Sequence, residues 1–497
     1  MLTRLQTGHA ARQVVGNNEF MELRDLAELN VFSHSRGRTP GVYLFNPFAE
    51  ACIAQGKAFT PVKPQAQLAA DLANLPQFLC RVDDLVLVPK RPAVEFLSGL
   101  KDAGFALPEF VELAQAAGSA PAAPSPAGTA ATAARRGVQG IAQRKIGCLR
   151  PWAWGPDSVA LLEPLFANVT GEARTPGQRF NDGLAALYSK AWSAGFLRDF
   201  LAQSRAGQGE PWLCSDQEVG VAVSTLDAAL EAIQAIRQRG HHRVVVKQAL
   251  GLAGHNALRL WEPELLDAQR RWLAQALRAG RQVVVEPWLE RVADFSVQLE
   301  MVGPGLKLCG YTGLVNDLRG QFQANWAAAD HARRLPTAVS DLFSGPPDIA
   351  NRLQRLYADI FTRLETELRR ADYLGPVGLD AFVYRTPQGE CRLKPVVELN
   401  PRYTMGRLTV ELMNQTCPGS CGRFRLVNRA TAAAEGFANF PTFARALAER
   451  WPLRLEGEPV PKIRAGSLCL NDPAQAQVCL AVFQVGRTLA GVDKATE

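Results

Sequence analysis

The sequence predicts a mixed protein of the α/β or α+β class with several domains. In the first 115 residues, short apolar runs alternate with segments of helical spacing, which is typical of a mostly parallel sheet. A lysine and two glycines lie between apolar runs at 243–260, and two β-branched runs flank a turn at 375–406. At 497 residues, the chain has room for two to four domains with cores of their own.

The N-terminal part, residues 1–115, is predicted to form an α/β domain. Its pattern includes strands at Gly41–Phe45 and Asp84–Pro89, each followed by a helix. Residues 116–138 are mostly Ala, Pro, Gly, Ser and Thr, a composition that indicates a flexible linker or exposed loop. We therefore expect a domain boundary at this segment.

The central segment, residues 139–240, is predicted to be helical, with a helix pair in RFNDGLAALYSKAWSAGFLRDFLAQ. Lys190 lies within that pair. A lone lysine on a helix is usually a solvated surface residue, so the pattern alone assigns Lys190 no role.

A glycine-containing loop follows an apolar strand in RVVVKQALGLAGHNALRL. The strand Val244–Val246 ends at Lys247, and Gly251 and Gly254 open the loop before a second strand begins at Ala257. Glycine lets backbone N–H groups approach an anion closely, and the lysine supplies positive charge. The segment therefore predicts a hairpin that folds over phosphates. It is no Walker loop, because the GK[ST] ending is missing.

Residues 375–406 predict a hairpin that ends in oxygen-bearing side chains. Asp380 lies on the first strand, and Glu398 and Asn400 share one face at the end of the second strand. Two carboxylates and an amide oxygen suit Mg²⁺, which shares its remaining positions with water and phosphates. Arg402 follows directly and could hold a phosphate or carboxylate through a bidentate contact. The plain alternative is a hairpin with a solvated acidic end.

GLDAFVY followed by VVELNPR resembles the metal-binding end of the ATP-grasp family. The resemblance implies that Asp380, Glu398 and Asn400 hold the Mg²⁺, or Mn²⁺ in its place, that bridges the ATP phosphates. It also implies that Arg402 assists transfer of the γ-phosphoryl group. The expected fold is then an ATP-grasp fold with an N-terminal α/β domain, a small lid subdomain and a larger metal-binding subdomain.

The resemblance extends to the upstream segments in the same order along the chain. It implies that Lys190 contacts the ATP phosphates and that Lys247, with Gly251 and Gly254, belongs to the lid. The resemblance also implies a catalytic role for Lys247.

The segment RQVVVEPWLERVADFSVQLEM resembles the family's adenine hinge. The resemblance implies that Glu286 and the backbone of Trp288 and Leu289 face adenine, and that Asp294 takes the ribose hydroxyls. Adenine needs one donor and one acceptor on its edge, which backbone groups can supply. A polar turn between surface strands is the alternative.

The remaining boundaries follow from these motifs. Residues 241–300 are expected to form the lid and hinge, and residues 301–416 the Mg²⁺- and ATP-binding subdomain. An amphipathic helix at 347–371 is expected behind the metal-site strands. Residues 417–497 are expected to form a C-terminal cap or an extension of the last sheet.

The implied activity is an ATP-dependent carboxylate–amine ligase that forms an acyl phosphate and acts on amino acids, peptides or another small molecule. A kinase on the same fold, or an ATP-binding module without turnover, remains open. One departure concerns Gly378, because some peptide ligases of the family carry a basic residue at this position. Its role then falls to Arg402 or Arg407.

Bulk properties exclude some classes. The net charge of +7 is spread along the chain, without the basic blocks and aromatic ladders that single-strand nucleic acid binders use. The ten cysteines are scattered, which favours reduced thiols in a cytoplasmic protein. There is no apolar run of 18 residues and no signal-peptide pattern, so we expect no membrane partner. A homodimer is compatible with the sequence, which does not determine the oligomeric state.

Overall fold

The computed structural model describes residues 38–55, 59–113, 137–170, 175–204, 210–251, 257–316, 322–328 and 347–488. The strands are β1 Gly41–Leu44, β2 Leu85–Val88, β3 Glu109–Glu112, β4 Cys148–Pro151, β5 Val221–Val223, β6 Val244–Gln248, β7 Ala257–Leu260, β8 Val283–Pro287, β9 Glu290–Val302, β10 Gly305–Asn316, β11 Phe322–Ala328, β12 Gly375–Arg385, β13 Cys391–Asn400, β14 Cys421–Asn428, β15 Arg454–Glu456, β16 Lys462–Cys469 and β17 Cys479–Gly486.

The α-helices lie between these strands, and several short 3₁₀ turns join them. The helices are α1 Ala49–Gln55, α2 Lys63–Asp71, α3 Val94–Asp102, α4 Pro156–Leu162, α5 Pro176–Arg179, α6 Asp182–Leu187, α7 Lys190–Gln203, α8 Leu226–Gln238, α9 Asp267–Ala276, α10 Pro347–Arg370, α11 Met405–Met413, α12 Arg429–Ala434 and α13 Phe440–Arg450. None of the described helices is long and apolar enough to cross a membrane.

The first sheet is parallel, with the strand order β3-β2-β1-β4. Its apolar strands are buried on both faces, as expected where helices cover a parallel sheet. The fourth strand, β4, lies beyond the predicted linker at 116–138. The sheet is therefore not confined to residues 1–115, because its edge strand returns to β1 only after a long crossover.

The second sheet is small and antiparallel, with the order β5-β8-β6-β7. Alternate residues of its strands, including Val244, Val246 and Val285, are buried against α8 and α9. The opposite face carries Lys247 and Glu286, as the period of two along a strand requires.

The third sheet has nine described strands in the order β13-β12-β9-β10-β11-β14-β17-β16-β15. The segment after residue 417 supplies β14 to β17, so it extends this sheet. One face of β9 and β12 is apolar and shares a core with α10, in which Leu356, Ile360 and Leu364 are buried. The other face carries polar residues such as Ser296 and Gln298. The prediction of a mixed α/β protein is confirmed.

Candidate active site at the hairpin end

The hairpin of β12 and β13 brings the predicted metal ligands together. In the antiparallel register, Asp380 lies directly opposite Glu398, and Asn400 lies opposite Gly378. Directly opposed residues have Cβ atoms about 4.5–5.5 Å apart, so the two carboxylates share one small region of the sheet face. Between them and the turn, β13 carries two extra residues around Pro395, which cannot donate a ladder hydrogen bond.

Lys190 reaches this region from α7. The helix begins at Lys190 because the hydroxyl of Ser189 accepts a hydrogen bond from the Ala191 N–H at its N-terminus. Nζ of Lys190 lies 2.7 Å from Oε1 of Glu398 and donates to the carbonyl of Gly251 at 2.9 Å. Lys190 is therefore partly buried in an ion pair rather than solvated.

The ion pair sets the charge state of both groups. Burial acts to raise the pKa of Glu398, but the cations around it, Lys190 first and then Arg402 and Lys247, together outweigh burial, and the pKa is lowered. Burial likewise opposes the charge on Lys190, but Glu398 holds its pKa above the ordinary value. Both groups are therefore charged at neutral pH.

A chain of hydrogen bonds continues from Asp380 to Arg402. The amide of Asn400 donates to Asp380 Oδ2 at 3.1 Å, and Nη2 of Arg402 donates to Asn400 Oδ1 at 2.7 Å. Burial, together with the charge of Glu398, raises the pKa of Asp380 to about 6. Hydrogen bonds from Ser296 and Asn400 limit that rise.

Glu50 completes the chain, and sequence reasoning missed it. Nε and Nη2 of Arg402 donate to Oε1 of Glu50 at 3.1 and 2.8 Å. Glu50 lies in the first turn of α1, in the parallel-sheet part, and is 3% exposed. Since 352 positions separate it from Arg402, no local pattern could have paired the two residues. In the sequence, Glu50 is only an acidic residue near the start of a predicted helix.

A second ion-pair cluster lies between the small sheet and the nine-stranded sheet. Glu286 on β8 forms ion pairs with Lys247 on β6 and with Lys394 on β13, the latter at 3.0 Å. Burial acts to raise the pKa of Glu286, but the two ammonium groups outweigh it and hold the pKa far below its usual range. Burial lowers the pKa of Lys247 despite its partner.

Lys394 is the second site residue that sequence reasoning missed. It is 3% exposed, donates to the carbonyl of Glu218 at 2.9 Å and shares the sheet face of Glu398. The signal was present, because a lysine interrupts the apolar run four residues before Glu398.

The predicted hinge residues lie along β8 and β9. The Trp288 N–H donates to the carbonyl of Arg243 at 2.9 Å, so this donor is already paired within the small sheet. Leu289 is buried in the main core, and Asp294 forms an ion pair with Arg291 at 2.8 Å. The Trp288 carbonyl, the Leu289 backbone and Asp294 remain predicted contacts for a base and ribose.

Two glycines explain local geometry near the site. Gly251 has a φ of 148°, a conformation that disfavours other residues, and its carbonyl contacts Lys190. Gly254 lies outside the described residues.

A Cβ at Gly378 would lie 2.8 Å from the Thr404 methyl group, so no basic side chain fits there. Of the two candidates for that role, Arg402 reaches the site, whereas Arg407 is paired with Glu300 and Glu411.

The ionic residues enclose little space in this conformation. A cavity of about 10 Å³, enough for roughly one water molecule, is lined by Lys190, Lys247, Glu286, Lys394 and Glu398, among others. A larger cleft of about 420 Å³ is lined by α1, Ser189 and the residues from the end of β6 at Gln248 to Gly251. Trp288, Leu289 and Asp294 line neither space.

The donor set fits a hard divalent cation that completes its shell with other oxygens. Asp380, Glu398 and Asn400 offer carboxylate and amide oxygens on one sheet face, which is the chemistry that Mg²⁺ prefers. Within the ranges that the structure describes, no group of three or more His, Cys, Asp or Glu residues forms a metal cage. A cation here would complete its shell with oxygens of water or of a ligand such as a phosphate.

Comparisons with known proteins give only distant likenesses. No protein-family model matches the chain, and no curated protein matches it. The structure is similar to N5-carboxyaminoimidazole synthetase from Staphylococcus aureus, at 9% identity and a TM-score of 0.43, over 92% of this chain and 95% of that chain. It is also similar to biotin carboxylase from Campylobacter jejuni, at 11% identity and a TM-score of 0.46, over 90% of this chain and 87% of that chain. Likenesses at this level establish neither a family nor an activity.

Proposed function

We propose that this chain is an ATP-dependent ligase that activates a carboxylate as an acyl phosphate and joins it to an amine. Amino acids or peptides are the proposed substrates. The observation that carries the proposal is the contact between Lys190 and Glu398, which joins α7 to the hairpin that bears Asp380, Asn400 and Arg402. Isolated buried charges are costly, so a convergence of this kind points to a shared ligand.

In this proposal, Asp380, Glu398 and Asn400 hold Mg²⁺ and so form the metal side of the site. When bound, the ion would neutralise charge on phosphate oxygens. The raised pKa of Asp380 is consistent with this role, because a buried carboxylate without a full positive partner favours a cation nearby.

The basic residues form the phosphate side. Lys190 on α7, Lys247 on β6 and Lys394 on β13 all line the small cavity. Each lysine is paired with a carboxylate, so phosphate oxygens would replace or share those partners. Arg402, fixed by Glu50 and Asn400, would steady the carboxylate substrate or the acyl phosphate.

Nucleotide entry requires the small sheet to move away from the nine-stranded sheet. A cavity of about 10 Å³ does not admit a purine base. The small sheet is built on its own core with α8 and α9, so it can move as a unit. The small sheet, whose strands β5 to β8 lie between residues 221 and 287, would then act as a lid over the nine-stranded sheet, which includes β9. The predicted bounds of 241–300 for the lid and hinge differ from this unit at both ends. Leu289 and Asp294, at the junction, would face the base and ribose.

The proposed chemistry needs no nucleophilic side chain. A substrate carboxylate oxygen attacks the γ-phosphorus of ATP, and ADP leaves. The neutral amine then attacks the acyl carbon and the C–N bond forms. The acyl C–O bond breaks, phosphate leaves with its electron pair, and the nitrogen releases one proton to the solvent. Positioning and charge neutralisation supply the rate enhancement.

A hydroxylamine trap tests the proposal without knowledge of the natural amine. The protein is incubated with ATP, Mg²⁺, hydroxylamine and a panel of amino acids and short peptides as carboxylates, and hydroxamate and ADP are measured. The proposal predicts equal amounts of hydroxamate and ADP for at least one carboxylate. A stable phosphorylated product would indicate a kinase instead. Nucleotide binding without ADP under any condition would indicate a module without turnover.

A further inference from the structure

Lys394 ties the small sheet to β13 through two hydrogen bonds. Its Nζ donates to Oε2 of Glu286 on β8 at 3.0 Å and to the carbonyl of Glu218 at 2.9 Å. Glu218 belongs to the entry segment, defined here as residues 216–220, which leads into β5. The Lys394 side chain is 4% exposed, so both bonds are largely shielded from water. One buried ammonium group therefore holds two parts of the small-sheet unit against the nine-stranded sheet.

Arg198 on α7 contacts the same entry segment, and α7 shares its core with the nine-stranded sheet. Nε of Arg198 donates to Oδ1 of Asp216 at 2.9 Å, and its Nη2 donates to the carbonyl of Gly220 at 2.8 Å. A Cβ at Gly220 would collide with Val284 on β8, so the entry segment packs closely on the small sheet. Movement of the small sheet away from β13 therefore breaks the contacts of both Arg198 and Lys394.

Lys394 also lies over an aromatic ring beside the predicted nucleoside contacts. Phe382 on β12 is opposite Lys394 in one register and opposite Asp294, the predicted ribose contact, in the other. The centre of the Phe382 ring lies 5.8 Å from Nζ of Lys394 and 4.5 Å from the Arg291 guanidinium carbon. Cations within about 6 Å of a ring centre are attracted to its face. The ring and the Glu286 carboxylate, which is predicted to face adenine, are thus both already in contact with cations of the chain.

A nucleoside and these contacts compete for the same groups. The cavity that Lys394 and Glu286 line is about 10 Å³, so a base reaches Glu286 only where Lys394 gives up its place. Lys247 remains a partner of Glu286, so release of Lys394 does not leave the acid without a counter-charge. The small sheet also keeps its own core when Lys394 is released. Breaking the Lys394 contacts is therefore compatible with an intact small sheet.

We propose that Lys394 is an autoinhibitory latch, which keeps the small sheet closed on β13 until a nucleotide takes its place at Glu286. Arg198 reinforces the latch at the entry segment, and the released ammonium group is free to face phosphate oxygens. The inference rests on the proposed function, because the latch closes that reaction's nucleotide site. It adds the contact that controls entry to the site. A ligand that binds only a minor open state associates at a rate limited by opening.

Stopped-flow fluorescence tests the proposal with ATP that carries an N-methylanthraniloyl group on its ribose. The whole chain is mixed with an excess of this nucleotide and Mg²⁺, and the observed rate of binding is measured at rising nucleotide concentration. We expect the wild-type rate to approach a plateau, which equals the rate of opening.

Variants assign the plateau to the latch. Lys394→Met removes the ammonium group and keeps a long side chain, and it should raise the plateau at least tenfold. Arg198→Gln should raise it at least twofold. Lys307→Met, which replaces an exposed lysine on β10, should match the wild type.

Three results would overturn the proposal. The first is a folded Lys394→Met that binds no faster than the wild type, because removing a lysine that only contacts phosphate leaves association unchanged or slows it. The second is a wild-type rate that rises in proportion to nucleotide at all concentrations. If Lys394→Met fails to fold, Arg198→Gln decides, and an unchanged plateau in that variant is the third.

The hydroxylamine assay separates this inference from the proposed function. Hydroxamate formation by the wild type, together with unchanged association in Lys394→Met, would leave the ligase standing and remove the latch. Faster association in Lys394→Met, without hydroxamate for any carboxylate, would support the latch and remove the ligase. Nucleotide binding by Lys394→Met alone would support the latch, and binding by neither protein would remove both proposals.

Discussion

Nζ of Lys190 lies 2.7 Å from Oε1 of Glu398, although the two residues are 208 positions apart. The contact fixes the start of α7 against the end of β13, and Leu399 N–H donates to Ser193 Oγ one turn further along the helix. It also links a predicted phosphate ligand to a predicted metal ligand. Each of the two groups therefore shifts the pKa of the other toward its charged form.

Replacing Lys190 should change how activity depends on pH. In Lys190→Met, Glu398 loses the cation that most offsets its burial, so its pKa should rise from its lowered value. The acid limb of the rate profile for ADP release should move to higher pH, and the maximal rate should fall at least tenfold. Lys190→Arg, which keeps the charge, should leave the limb near its original position. An unchanged limb in Lys190→Met would remove Lys190 from the control of Glu398.

Replacing Lys247 should weaken nucleotide binding. Lys247→Ala removes one of the cations that line the small cavity, while Glu286 keeps Lys394 as a partner. We expect the dissociation constant for ATP, measured by calorimetry, to rise about tenfold, which corresponds to about 1.4 kcal/mol. Lys307→Ala, on the exposed part of β10, is the matched control. Equal ATP affinity in Lys247→Ala and the wild type would exclude this lysine from the site.

Replacing Glu286 should reduce both the stability and its dependence on pH. Glu286→Gln leaves two buried lysines without a counter-charge, and breaking a buried ion pair costs about 3–5 kcal/mol. The measurement is the free energy of unfolding in denaturant at pH 7. Glu290→Gln, whose side chain is 75% exposed, should change it by less than about 1 kcal/mol.

The sign of the pH effect follows from the lowered pKa of Glu286. The unfolded carboxyl titrates near the ordinary value of about 4.3, and the folded one titrates lower. The stabilisation is therefore fully present above about pH 4.3 and is lost as the pH falls toward the folded value. Between pH 5 and pH 3, the wild type should lose more stability than Glu286→Gln. Parallel losses would contradict the assignment.

The close contact at Gly378 should make this position intolerant of a side chain. In Gly378→Ala, the new methyl group would meet Thr404, whose hydroxyl accepts from the Arg407 N–H and donates to Gln298 Oε1. We expect a loss of about 1–3 kcal/mol in the free energy of unfolding. Gly99→Ala, where a Cβ meets nothing within 4 Å, should be neutral or stabilising. A stable Gly378→Ala would show that Thr404 can shift without cost.

Local patterns predicted the parts of the fold that depend on local chemistry. The hairpin of β12 and β13 follows from β-branched runs around a turn, and the face shared by Glu398 and Asn400 follows from the period of two. The strand β6, which precedes the glycine loop, likewise follows from the apolar run that ends at Lys247.

Long-range pairing could not be predicted in the same way. Glu50 reaches Arg402 only because the parallel sheet lies against the end of β13, and β14 joins β11 across nearly a hundred residues of chain. Neither contact leaves a periodic signal. Lys394 is different, because a lysine within a buried strand is itself a sign of a partner, and Glu286 is that partner.

The measurement that tests the central claim most directly compares ADP formation by Glu398→Gln and Glu390→Gln. Both acids belong to the segment that forms the hairpin of β12 and β13. Glu390 lies at its turn, at the other end of β13 from the proposed metal ligands, and its side chain is 60% exposed. In the presence of ATP, Mg²⁺ and an active carboxylate with hydroxylamine, Glu398→Gln should form ADP at less than a hundredth of the wild-type rate while remaining folded. Glu390→Gln should match the wild type. Near-normal ADP formation by Glu398→Gln would contradict a shared metal and nucleotide site at this hairpin.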